Sequence, residues 1–173
     1  REYMNTVQPV IYDLFLTELG MVAEDYIADA LRSKNIPYAS VSCGHQTSVQ
    51  SSGDEAFTVS VHVGEKDFPK AVRAVGEVMG RIDAGKTEVK DLLRMKRICL
   101  DSAREQAFKS VLSNSEHLDR CVTAFVYNGS LATYRTKVDF LSDRVLADST
   151  EIRLFNNISS AILDPEMNLS VSY

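Results

Sequence analysis

The sequence predicts an α+β fold, a small antiparallel sheet packed against several helices. Three observations predict it. A long segment of helical apolar spacing precedes residue 35, two β-patterned runs joined by a polar turn follow it, and a succession of helical stripes fills the remainder. The 173 residues, 45% hydrophobic and 25% charged, suit a single domain over residues 1–173 with one core.

The first helix is expected over Thr6 to Lys34, where Ile11, Leu14, Phe15, Val22, Tyr26, Ile27, Ala30 and Leu31 recur at helical spacing. Gly20 either divides this segment or weakens it. Asn35-Ile36-Pro37 stops it, because proline disfavours the helical region for its predecessor. Tyr38 to Gln46 reads as a strand, and Ser51-Ser52-Gly53-Asp54 as a turn. Phe57, Val59, Val61 and Val63 then alternate with Thr58, Ser60 and His62, the pattern of a strand with one apolar face. A second helix starts at the expected N-cap Asp67, with Pro69 in its first turn and a stripe of Phe68, Val72, Val75, Met79 and Ile82. Asp83-Ala84-Gly85 ends it. Thr87 is the expected cap of a third helix carrying Leu92, Met95, Ile98 and Cys99 and running on through Phe108 and Val111.

Ser113 to Glu116 has the form of a capping box for a fourth helix, with Leu118, Cys121, Val122 and Phe125 as its stripe. Ser130 and Asp148 are further N-cap candidates. Asp148 to Glu151 repeats the capping-box pattern ahead of Ile152, Phe155, Ile158 and Ile162. Pro165 closes that helix, and Leu169, Val171 and Tyr173 alternate as a last strand. The chain opens on Arg1 and stops within that strand, so a piece of a longer protein is expected.

A formal charge of −5, with no dense run of lysine or arginine, argues against a nucleic-acid surface. No apolar stretch has the length of a membrane span. Cys43, Cys99 and Cys121 are widely spaced and form no C-x-x-C pair, so buried or half-buried thiols are expected, and no metal knuckle.

The histidines are His45, His62 and His117. Only Glu116-His117 echoes a helical H-x-x-E-H, and Ser113 stands where its first zinc ligand would be. This domain alone therefore lacks the catalytic zinc motif: no catalytic residue, metal ligand or cofactor is assigned to it. Gly80 to Thr87 matches G-x-x-x-x-G-K-[ST] letter by letter. A phosphate loop follows a buried strand, however, and the residues before Gly80 read as a helix. Glu24-Asp25 and Asp54-Glu55 read as solvated carboxylates.

Leu31-Arg32-Ser33-Lys34 leading to Tyr38 resembles the L-R-x-K-x-x-x-x-Y signature of the pitrilysin/insulinase family of zinc metallopeptidases. That signature lies in the family's inactive partner domains. Ala30 to Val41 is similar to the family's "LREK…GLAYSV" segment, and Phe57 to Val63 to the strand after it. Glu65 to Ile82 is similar to the following helix, Gly85 to Leu92 to a "G-[IV]-T-x-x-E-L" helix start, and Leu163 to Asn168 to a closing "l-x-P-x-N". Asp91 replaces the family's glutamate, and the link from Arg32 to Tyr38 is one residue shorter.

The resemblance implies a non-catalytic domain that closes over a catalytic one in the same or a partner chain and helps hold peptide substrate. Zinc would sit in the catalytic partner. Arg32 would bond substrate carbonyls, and Tyr38 would stabilise the oxyanion as it forms. The family's leading strands would precede Arg1, so the sheet of this piece is expected to be incomplete and open-edged. On residue chemistry alone, Arg32 equally suits the negative end of its helix, with Tyr38 packing beneath the sheet. A protein-binding scaffold of the same fold is the rival reading.

Overall fold

The computed structural model describes residues 8–47, 55–109, 114–127, 133–142 and 149–164. The predicted Ser51–Asp54 turn, the Ser113, Ser130 and Asp148 caps, the Pro165 stop and the final strand lie outside them. Six helices and a two-stranded antiparallel sheet make up the described fold, which is α+β. In chain order these are α1 (Gln8–Ser33), β1 (Tyr38–Thr47), β2 (Glu55–Val63), α2 (Phe68–Asp83), α3 (Val89–Lys109), α4 (Asn114–Tyr127), α5 (Tyr134–Ser142) and α6 (Ser149–Leu163). A 3-10 turn over Glu65–Asp67 leads into α2.

α1 is the axis of the molecule. Leu14, Phe15, Leu16, Leu19, Val22, Ala23, Ile27 and Leu31 are all buried along it, more than one helix face can accommodate. The main core joins its second half to Ala71, Ala74, Val78 and Ile82 of α2, Leu92 and Met95 of α3, and Phe155 of α6. A smaller cluster sets Leu14 against Cys99, Leu100 and Ala103 of α3 and Leu141 of α5.

Gly20 does not break α1, which is continuous through it. A side chain there would put its Cβ 2.9 Å from the carbonyl oxygen of Cys43, so the glycine is what lets β1 lie against the helix. Beside it the Cys43 N–H reaches Glu24 Oε2 at 3.4 Å, so this part of the β1 edge is turned to α1 and covered by it. Among the described residues no third strand extends the sheet.

The end of α1 is a Schellman stop. Asn35 takes the left-handed conformation (φ 53°), its N–H bonds the Arg32 carbonyl at 3.0 Å, and Ile36 N–H bonds the Leu31 carbonyl at 2.9 Å. Leu31 and Ile36 are buried together in the main core, which fixes the angle at which the chain leaves the helix. α2 stops the same way around Gly85 (φ 67°), with Gly85 N–H to Ile82 and Lys86 N–H to Arg81.

The hairpin pairs Val41 with Val61, Cys43 with Val59 and His45 with Phe57, which turns the valines towards α1. An irregularity between Tyr38 and Ser40 inserts one extra residue on β1. That bulge brings Tyr38 onto the same face as Val41, although the two are three positions apart.

Several expectations need correction. The buried face of α2 is Ala71, Ala74, Val78 and Ile82, with Val75 and Met79 packed partly buried beside it; of the expected stripe Val72 alone is exposed. α3 begins at Val89, with Asp91 and Leu92 N–H groups on the Glu88 carbonyl, so Glu88 and not Thr87 is its cap residue. Thr133 caps α5, its Oγ1 accepting the Thr136 N–H at 3.3 Å. Cys121 is exposed, while Cys99 is buried and Cys43 half-buried. Leu118, Val122, Phe125 and Val126 of α4 are exposed as well.

Two of the helix glycines, Gly20 in α1 and Gly76 in α2, make opposite predictions. Gly20→Ala is expected to lower stability by about 1–3 kcal/mol through overpacking. Gly76, with nothing within 4 Å of a built Cβ, is expected to raise it by roughly 0.5–1 kcal/mol as alanine. Denaturant unfolding of both variants checks the pair; a stabilising Gly20→Ala contradicts the close approach of β1.

Candidate functional site

The structure places both residues singled out by sequence at the exit of α1. Arg32 turns back along its own helix: Nε donates to the Ala28 carbonyl at 3.2 Å, and Nη2 lies 3.1 Å from Asp29 Oδ1. Its side chain remains largely exposed. Tyr38 packs half-buried against the main core. No described hydrogen bond or ion pair joins the two.

The Gly80–Thr87 stretch is the end of α2 and its stop, with a helix and not a strand before Gly80. Its charged groups serve a bridge between helices. Tyr26 of α1 donates its hydroxyl to Asp91 Oδ2 at 2.8 Å and accepts the Glu88 N–H at 3.1 Å, so a tyrosine from α1 caps the start of α3. Arg81 lies over the Tyr26 ring at 4.6 Å and reaches Glu88 Oε1 at 3.3 Å. Burial, then the hydrogen bond to the Asp91 carboxylate, outweigh the Glu88 N–H and hold the Tyr26 hydroxyl above its ordinary pKa.

The most unusual chemistry lies where no sequence motif marks it. Glu18 of α1, Lys96 of α3 and Glu151 of α6 are all buried, at 4%, 6% and 9% exposure. With Phe15, Leu92, Ile152 and Phe155 they line a cavity with about 10 Å³ of room for a water centre, at the lower limit for one water. Lys96 Nζ is 2.5 Å from Glu151 Oε1. That contact is an ion pair; Lys96 Nζ makes no hydrogen bond among the described residues.

Two carboxylates and one ammonium cannot be electroneutral in a low-dielectric interior unless one carboxyl keeps its proton. Burial, only partly offset by Lys96 and reinforced by Glu151, pushes Glu18 up to about 8. The same burial, with Glu18 beside it, raises the Cys99 thiol to about 11. Burial, with Glu24 nearby, raises Cys43 to about 12. Neither thiol suits nucleophilic work at neutral pH.

A period-based signal for the triad does exist. Glu18 falls on the face of α1 that carries Leu14, Phe15 and Val22, and Lys96 lies one turn from Leu92 and beside Met95. Glu151 lies one turn before Phe155. A charged residue on a core face is the mark that was there to be read.

His62 Nδ1 is 2.8 Å from Ser40 Oγ across the exposed face of the hairpin. His45 is half-buried on β1, and His117 is exposed on α4. Among the described residues no three metal-binding side chains are grouped to hold an ion. Among them, too, no helix is long and apolar enough to cross a membrane. Comparison with protein-family models, with curated proteins and with solved structures returns no match.

The triad sets the sign of a pH dependence. Between the ordinary 4.5 of a free glutamate and about 8, the folded chain holds one proton that the unfolded chain has lost. The stability due to that proton is therefore complete below pH 4.5 and declines as pH rises towards 8, by up to about 1.4 kcal/mol per pH unit. Urea unfolding between these limits is expected to show that decline, and Glu18→Gln to flatten it. Lys96→Met, which removes the cation from between two buried carboxyls, is expected to lower stability by about 3–5 kcal/mol. A flat wild-type profile contradicts the assignment.

Proposed function

We propose that this chain is a non-catalytic, polypeptide-binding domain, and specifically the peptide-enclosing partner domain of a zinc metallopeptidase of the pitrilysin/insulinase type. The observation that carries this reading is the order of segments. The Leu31–Tyr38 link follows a long helix, a hairpin follows the link, and α2 and the Gly85–Leu92 helix start come after it, as in the family's sequence pattern. In this reading catalysis and zinc belong to a catalytic domain in the same or a partner chain, and this domain contributes surface to the substrate. Arg32, exposed at the exit of α1, exchanges its Asp29 partner for substrate carbonyls. Tyr38 offers its hydroxyl from the first position of β1.

A second reading is a protein-binding scaffold that cuts nothing. Two observations favour it: Arg32 and Tyr38 already have structural employment, and the outer face of α4 exposes Leu118, Val122, Phe125 and Val126 in one stripe. An exposed apolar stripe of this kind suits contact with another protein surface.

The readings separate in one experiment on the parent protein together with whatever segment supplies H-x-x-E-H. Zinc-dependent peptide hydrolysis is expected, with Tyr38→Phe lowering kcat about 100-fold as the loss of one oxyanion donor does. Arg32→Ala is expected to raise KM or lower kcat/KM about tenfold or more through loss of a charge-assisted bond. Hydrolysis unaffected by either variant, or a parent without the zinc motif, overturns the peptidase reading and leaves the scaffold.

A further inference from the structure

The Glu18–Lys96–Glu151 cluster joins three helices, and its charges balance only while it holds a proton. Glu151 is the carboxylate that holds the ammonium. It is paired with Lys96 at 2.5 Å and lies in the first turn of α6, where the helix N-terminus favours negative charge. Glu18 has no hydrogen bond among the described residues, so the proton belongs to it. Among the described residues the cavity wall comes from α1, α3 and α6.

Among the described residues the charged and titratable groups near Glu18 are few. α3 brings Lys96 and the Cys99 thiol, and α6 brings Glu151. On α1 itself Asp13 is engaged by Lys137 of α5 at 2.7 Å. None of these supplies Glu18 with a second cation once its proton is gone, since Lys96 already serves Glu151.

The element with the least satisfied seat is α6. Phe155 is buried against Phe15, with ring centroids 6.3 Å apart, and Ser160 Oγ donates to Asp83 Oδ1 at 2.8 Å. Yet Asn156 Oδ1 and Ser159 Oγ are buried without a hydrogen-bond partner among the described residues. Such groups are hydrated at once when the helix lifts, which lowers the free energy of local opening.

We propose that α6 is a proton-held latch: it stays seated on α2, α1 and α3 while Glu18 carries its proton, and it opens as a unit, ahead of the rest of the fold, when that proton is lost. Lifting α6 carries Glu151 away and lets water reach Glu18 and Lys96, which is the state that accepts the ionised carboxylate. The step is a deprotonation to solvent base, with no bond to carbon made or broken.

The test is backbone hydrogen exchange of the intact chain from pH 5 to pH 9, corrected for the intrinsic rate at each pH. The α6 amides are expected to exchange at least tenfold faster than the buried amides of α1. Their opening constant should rise up to about tenfold per pH unit until Glu18 is ionised. Glu18→Gln is expected to remove that slope. So is Glu151→Gln, which frees Lys96 to pair with Glu18 and returns its titration to the ordinary acid range. Exchange of α6 in step with α1, a wild-type opening constant independent of pH, or a slope that survives in either variant would each overturn the latch; the wild-type comparison alone decides should a variant not fold.

Discussion

Everything in this fold leans on α1 being surrounded. An amphipathic surface helix shows one stripe to the core and the rest to water. Here the sheet, α2, α3, α5 and α6 take up successive faces of one helix, so its burial runs from Leu14 to Leu31. Two constraints follow directly. The strand beside the helix must come close enough that only glycine fits at position 20, and the helix must end where Leu31 and Ile36 can share the core. The Asn35 turn meets the second constraint through backbone hydrogen bonds, and Pro37 keeps the chain from continuing as helix.

The surrounded helix also explains why a charge is trapped. Position 18 has no outward direction once α3 and α6 have docked, so Glu18 must be neutral or matched. Lys96 can match only one carboxylate, and Glu151 has the shorter contact and the helix N-terminus in its favour. Replacing a buried ionic cluster with apolar residues commonly stabilises a protein, so such a cluster is weak evidence for stability. Its consequence here is selective: it makes the docking of α6 depend on a proton, whereas the contacts of α1 with α2 and the hairpin rest on apolar packing.

Much of this was legible from local pattern. The long first helix, the two strands, the stop at Asn35-Ile36-Pro37 and the α2 stop at Gly85 all follow from spacing and punctuation that act within a few residues. What escaped was whatever depends on a partner far along the chain. Gly20 reads as a weak point in a helix until Cys43 is placed beside it. Ala71 and Ala74 lie on the buried face of α2 beside Val78 and Ile82, while the larger Val72 faces outward. The α4 stripe reads as core by period, yet the described fold leaves it exposed. Thr87 looked like a cap, but Tyr26 of α1 reaches the Glu88 N–H from outside the segment. Glu18, Lys96 and Glu151 each break an apolar stripe, but only the tertiary fold joins them. The proposed peptide-holding role rests on sequence resemblance and segment order, and the geometry of Arg32 and Tyr38 adds to it only their positions at the helix exit.

The claim on which the account turns is that a single carboxyl in the interior keeps its proton at neutral pH. A carbon-detected NMR titration of the glutamate side-chain carboxyls tests it without unfolding or activity. The account predicts that Glu18 titrates near pH 8. A Glu18 resonance already ionised at pH 6 would contradict it, and would mean that water or another cation reaches the triad in the folded protein.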